Sequence, residues 1–318
     1  MTAPNRKLRM SSTGVGSVGV SVPPGIGSAR PAARRQTFVV GGLLAPGLLA
    51  LLFLLLLPLV NVVAESFRQY VPGKIGGLID ASYTLSNYAA LLHPVYLDYL
   101  TTMIWCASLA TLGGLVMGYP VAYAIARTSS HLFRMSLIGL LVGLLFLSAL
   151  IRVYSLELSF GSVGLGRTLS GLMGVSSNSR TYAEFLVVIG LMHHSIPLAA
   201  LLITATIQNI NPRLVEAAQA LGAPLWRGHL SITLPLSMPG ILSAFLVCYT
   251  TNLSAFVVPM ILGKGKIQFL SNLAYDRYAE LANFPSGSAI AMQLLAVAVI
   301  VTYGIGWMLR RQFGEGIH

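Results

Sequence analysis

Glu216, Ala217 and Ala218, followed by Gly222 and then by Ile232, Leu234 and Pro235, form a short polar island between two long apolar runs, in the pattern E-A-A-x3-G-x9-I-x-L-P. The composition of this island suits docking. Ala217, Ala218 and Ala220 are small enough to let a partner backbone approach closely, and Leu214, Leu221 and Leu225 offer apolar contact. Glu216 offers one negative charge to an arginine or to the positive end of a helix. Asn211-Pro212 is a strong helix start, since Asn caps free N–H groups and Pro is favoured at the first helical position. A helix is therefore expected over Arg213–Leu221, with Gly222 as the left-handed residue that closes it. Ala223-Pro224 then restarts a second short helix through Trp226 to about Ile232, and Leu234-Pro235 ends it and feeds the next apolar run. The whole loop spans about residues 208–235.

The other polar groups of interest lie within apolar segments, where an ionisable or amide side chain is a functional candidate by default. Arg152, Tyr154, Glu157, Tyr249 and Asn252 are the candidates for a solute pathway, with Glu184 and the pair His193-His194 nearby in type. Each also has a structural reading: Arg152 as the anchor of a helix end, the histidines as partners of a helix break near Pro197, Asn252 as an interhelical hydrogen bond. Cys106 and Cys248 both fall in apolar runs and give neither a disulfide framework nor metal-ligand spacing. No metal site and no catalytic residue is assigned. The G-x-x-x-x-G-K-[ST] phosphate loop is missing; Gly263-Lys264-Gly265-Lys266 lacks the upstream glycine and the hydroxyl residue. The chain therefore shows no phosphate-binding loop of its own, and it is expected to bind no cofactor.

The elements that position these residues follow from composition. Of 318 residues, 55% are hydrophobic and 9% charged, with a mean hydropathy of +0.76; soluble domains carry roughly 25% charged residues. An all-α, polytopic membrane protein is expected, with six spans at about 37–63, 100–125, 134–154, 183–207, 236–261 and 288–309. Residues 1–36, rich in Gly, Ser, Pro and Val, read as a disordered basic tail, and residues 37–318 as the transmembrane domain. The net charge of +11 is concentrated in that tail, which carries six cations and no acid. This is a topology signal and a lipid contact rather than a nucleic-acid site. With the N-terminus inside, twelve Lys/Arg and two acids face the cytoplasm, against eight Lys/Arg and seven acids outside. That orientation puts Glu216 in the cytoplasm. The outer segments 64–99 and 155–182 are long enough to hold short helices.

With its island complete at every defining position, the chain resembles the permease subunits of type I ABC importers, closest to the spermidine/putrescine permease group, and the island resembles that family's EAA loop. Similarity runs from about Thr84 to Arg310. "MGYPVAYAIAR" at 117–127 resembles the end of the family's second span, and "LSALIRVYSL" at 147–156 its Ser-x-x-x-Arg segment, here Ser148 and Arg152. "TLPLSMPGI" at 233–241, "LSAFVVPMILG" at 253–263 and "FPSGSAIA" at 284–291 resemble the entry and exit of the fifth span and the entry of the last. The 157–184 stretch, the His193-His194 pair and the long tail depart from the pattern.

The resemblance implies a bacterial inner-membrane subunit that is not itself an enzyme. Its partners would be a cytoplasmic ATPase dimer docked on the loop, a second permease forming a heterodimer, and a periplasmic solute-binding protein. ATP and the loaded binding protein would shift the pair between inward- and outward-facing states. Polyamine is the implied cargo; ferric iron, 2-aminoethylphosphonate, thiamine or an oxyanion are alternatives within the class. An ion-coupled secondary transporter would instead show internal repeats and midplane charges. A membrane-embedded enzyme would need a convergent cluster of His, Asp, Glu or Ser.

Overall fold

The computed structural model describes residues 30–73, 83–161 and 164–313. Among the described residues the regular structure is helical, with no strand. The first 29 residues of the expected tail lie outside them, and α1 runs Arg30–Ser66. The chain divides into two compact units within α1, between Leu57 and Pro58; the bundle described below belongs to the second.

A short helix α2 (Ser86–Ala90) precedes α3 (Pro94–Arg127), which begins with Pro94 in the favoured first-turn position. α7 (Arg180–Gln208) starts at Ser179, whose hydroxyl accepts the Tyr182 N–H at 3.1 Å. α3 and α7 lie parallel, as second and fourth spans must. At one end Arg180 reaches Asp98 and Thr102 of α3; at the other, Arg127 donates to the Ile210 carbonyl just beyond α7. Small residues let these two helices approach closely. A Cβ on Gly118 would sit 3.0 Å from the Ile196 carbonyl oxygen and 3.2 Å from Ala199 Cβ, the small-residue contact that membrane helices use in place of a hydrophobic driving force. Pro120 and Pro197 lie inside these helices without ending them. α10 (Leu234–Leu253) packs across both, and α13 (Phe284–Phe313) packs on α10 and on α12 (Leu270–Tyr275).

Two expected spans are not single helices. The segment expected as one span over 134–154 forms α4 (His131–Phe146) and α5 (Ala149–Phe160), bent 93° apart. Leu147 and Ser148 adopt extended backbone between them, and the bend frees carbonyls at the end of α4, one of which, on Leu144, Arg152 caps at 3.2 Å. The segment expected over 236–261 ends as α10 at Leu253, bends at Ser254 and resumes as α11 (Val257–Leu262). The Ser254 hydroxyl bonds back to the Thr250 and Thr251 carbonyls, a competition that closes a helix end. Ser271 of α12 takes up the released carbonyl of Ala255 at 2.6 Å, and Asn272 adds a second donor, at 2.9 Å, to the Phe256 carbonyl that also accepts the Met260 N–H. Counting each bent pair as one span, up to six helical segments are long and apolar enough to cross a bilayer. Of the expected outer helices, α2 and α6 (Gly166–Leu172) are present.

Candidate functional site

The polar island folds as two short helices, α8 (Arg213–Ala220) and α9 (Leu225–Gly228). Asn211 Oδ1 accepts the Arg213 N–H at 3.0 Å and starts α8. Gly222 ends it at φ +88°. Its N–H donates to Gln219 O at 2.8 Å and the Ala223 N–H to Ala218 O at 3.0 Å, the paired bonds of a Schellman motif. Gly228 lets α9 lie on α8, since a Cβ there would sit 3.3 Å from Val215 Cγ1 and 3.9 Å from Ala218 Cβ. Ala218 thus faces inward, while Glu216 and Ala217 are exposed. Around them stand Leu214, Leu225 and Trp226, all exposed, and Leu221, which is 90% exposed.

The second helix does not stop at Leu234-Pro235 as expected. It passes through a π-turn over His229–Thr233 straight into α10, giving one apolar helical segment over Leu225–Leu253. A proline in an α-helix removes one hydrogen bond and clashes with the carbonyl four residues back. Here the Leu234 N–H bonds to His229 O, five residues back; the wider turn makes room for Pro235, and the helix continues. Ile232 and Leu234 are half-buried at this joint and Pro235 is exposed. The joint is rooted on α3: the His229 ring packs edge-on against Tyr123 at 4.3 Å and lies 5.6 Å from Tyr119, beside the Arg127–Ile210 bond.

Away from the loop, the two helix breaks border an open cavity of about 250 Å³ between α5, α7, α10 and the start of α11. Arg152, His193, His194, Thr251, Asn252 and Ser254 line it together with apolar side chains. Arg152 Nη1 lies 3.2 Å from His194 Nδ1. A guanidinium only donates, so Nδ1 is the acceptor and the neutral ring carries its proton on Nε2. Asn252, 1% exposed, donates to Thr111 Oγ1 and Ser195 Oγ at 3.0 Å each, and Ser195 Oγ also lies 3.1 Å from its Oδ1. This ties α3, α7 and α10 together beside the cavity.

Residues 1–313 match the family described as "Binding-protein-dependent transport system inner membrane component". The chain belongs to this family. The permease is 28% identical over 267 residues to the spermidine/putrescine transport system permease protein PotB of Haemophilus influenzae, covering 82% of this chain and 92% of that one. It is also 28% identical over 268 residues to the sulfoquinovosyl glycerol transport system permease protein SmoG of Agrobacterium fabrum, covering 82% and 86%. In fold it matches a chain of a bacterial alginate ABC transporter, crystallised with its alginate-bound periplasmic protein, at a TM-score of 0.68 and 18% identity over 89% of this chain and 97% of that chain. The protein is a multi-pass inner-membrane permease subunit.

Of the five candidate pathway residues, the permease brings only Arg152 and Asn252 to one cavity. Tyr154 is exposed on α5. Glu157 pairs with Lys264 at 2.8 Å. Tyr249 is buried and stacks on Phe245 with ring centres 5.6 Å apart. His193 and His194, read from the sequence as partners of a helix break, line the cavity instead. Tyr119, Tyr123, His229 and Gly228 went unread at the loop, and Thr111 and Ser195 in the core. Each is an ordinary residue in its local sequence, and only its partner in space marks it.

Proposed function

We propose that this chain is one of two permease subunits, in a heterodimer, of an ATP-driven importer that takes up a polyamine, spermidine or putrescine. Residues 208–235 would be its cytoplasmic coupling loop, with Glu216 and the exposed Leu214, Leu221, Leu225 and Trp226 docking on an ATPase subunit that binds ATP and Mg. The observation that carries this reading is the loop itself: a capped two-helix unit whose large apolar side chains are exposed, joined to α10 without a break and braced on α3. A load on α8 would be passed to two core helices rather than absorbed by a slack connection. The basic tail, residues 1–36, would lie on the same cytoplasmic side, and the outer ends of α3 and α7 would face a periplasmic binding protein. The resemblance to spermidine/putrescine permeases supports the polyamine cargo.

Uptake of labelled spermidine and putrescine in cells with and without this gene tests the reading. Uptake should fall on deletion, return with the wild type and fail to return with Glu216→Ala. Unchanged polyamine uptake would reject the cargo, and full rescue by Glu216→Ala would reject the loop's role. A second cargo reading, an anionic solute, is favoured by the cavity, where Arg152 stands without a carboxylate among the lining residues, and by the similarity to a sulfoquinovosyl glycerol permease. The two readings part at Arg152, which repels a polycation and holds an anion.

A further inference from the structure

We propose that the cavity between the two helix breaks is an oxyanion site, with Arg152 as its principal ligand. The inference rests on the permease reading but not on the choice of cargo. Its starting point is an imbalance of charge. Arg152 lies in a segment read as part of a membrane span, and among the described residues it has no carboxylate partner: the carboxylate nearest to it in sequence, Glu157, pairs with Lys264. Its recorded partners are neutral, the Leu144 carbonyl and His194 Nδ1, both at 3.2 Å and both on Nη1. Arg152 is half-buried, and withdrawing a cation even partly from water is unfavourable in a way that neutral acceptors only partly offset. A guanidinium has five N–H donors in a planar fork that fits the two oxygens of a carboxylate, sulfonate or phosphonate.

The surroundings supply the rest of a site. The cavity of about 250 Å³ adjoins Arg152, room for a small solute group rather than a single water. No Asp or Glu lines it to repel an anion. His193 and His194 border it, and the His194 ring, accepting at Nδ1 from Arg152, keeps Nε2–H as a donor. Because Arg152 sits on α5 and also holds the Leu144 carbonyl of α4, ligation would bear on the angle between these helices as well as on charge.

An oxyanion group reaches such a cavity either on a soluble solute or as a lipid phosphate, and the test separates the two. The assembled transporter is placed in nanodiscs of zwitterionic lipid, and its thermal unfolding is followed while methylphosphonate, sulfate or inorganic phosphate is titrated in. A parallel series replaces part of the lipid with phosphatidylglycerol. We expect saturable stabilisation in the wild type, weakened about tenfold or more in Arg152→Gln, since each charge-assisted bond is strong, and partly kept in Arg152→Lys. Stabilisation by soluble anions assigns the site to a solute; stabilisation by phosphatidylglycerol alone assigns it to a headgroup. His194→Ala, which leaves the charge in place, should weaken binding less, and it provides a readout if Arg152→Gln does not fold. Anion responses that are the same in wild type and in Arg152→Gln and His194→Ala, or saturable binding of spermidine that tightens in Arg152→Gln, would overturn the proposal. ATP-dependent uptake by the same preparations reports separately on the permease reading.

Discussion

Gly222 offers a clean separation of conformational from contact effects in the coupling loop. It sits at φ +88°, and no atom lies within 4 Å of the position a Cβ would take. Substitution therefore meets no steric clash, and the cost is that of holding an L-residue in the left-handed region, about 1–2 kcal/mol. Asn tolerates this region better than Ala. Pro cannot enter it, and it also removes the N–H that bonds to Gln219 O. α8 has only eight residues, and helices that short are marginal without their caps, so most of the cost falls on the capped loop conformer. One to two kcal/mol is a factor of roughly 5–30 in its population. Titrating purified ATPase subunit onto the permease pair in detergent should rank affinity Gly, Asn, Ala, Pro, with Gly222→Ala weaker by about 5–30-fold. Equal loss in Asn and Ala, or Pro no worse than Ala, would refute the conformational argument. Unchanged affinity throughout would mean the Schellman turn has no part in docking.

The remaining predictions concern the loop's charge, its root and the core. Glu216→Ala should reduce ATPase co-purification while membrane insertion stays normal; unchanged co-purification would remove Glu216 from the docking face. Arg127→Gln, which loses the charged bond to Ile210 O, should keep ATPase docking but lower solute-stimulated ATP hydrolysis, and equal stimulation in variant and wild type would show that this brace transmits nothing. Asn252→Ala breaks the bonds to Thr111 and Ser195 and should cost about 1 kcal/mol, the scale of buried hydrogen bonds between membrane helices. That loss is read as a lower unfolding midpoint in detergent, and adding Thr111→Val should cost little more. Gly118→Leu, which drives a side chain against the Ile196 carbonyl, should cost about 1–3 kcal/mol or more and lower the amount of folded protein in the membrane; normal accumulation would contradict the close α3–α7 packing.

How much was legible in the sequence depended on how local the cause was. Asn211-Pro212 and Gly222 announce their helix ends because the atoms involved are a few residues apart. Pro235 misled for the opposite reason. Proline signals a stop only while the turn before it is α-helical, and nothing nearby spells out a π-turn. The cavity residues were legible singly but not as a group, since the partners lie 42, 57 and 141 residues apart in the chain.

The bends at Leu147–Ser148 and Ser254 contain neither glycine nor proline, so local chain chemistry does not explain them; yet both occur beside polar side chains. This pairing has a physical cause. Breaking a helix in an apolar medium releases carbonyls that no water can satisfy, and a lone polar side chain in the same medium needs a partner. Each solves the other's problem: Arg152 takes the Leu144 carbonyl, Ser254 that of Thr251, and Ser271 that of Ala255. A polar residue interrupting an apolar run is thus a signal for a broken span as much as for a ligand. Where two breaks face each other, as here, the side chains that close them also border the space they open. Arg152 is therefore both the cap of α4 and the charge beside the cavity: Nη1 holds the Leu144 carbonyl, and the remaining N–H groups of the fork are the ones a ligand in that space would meet.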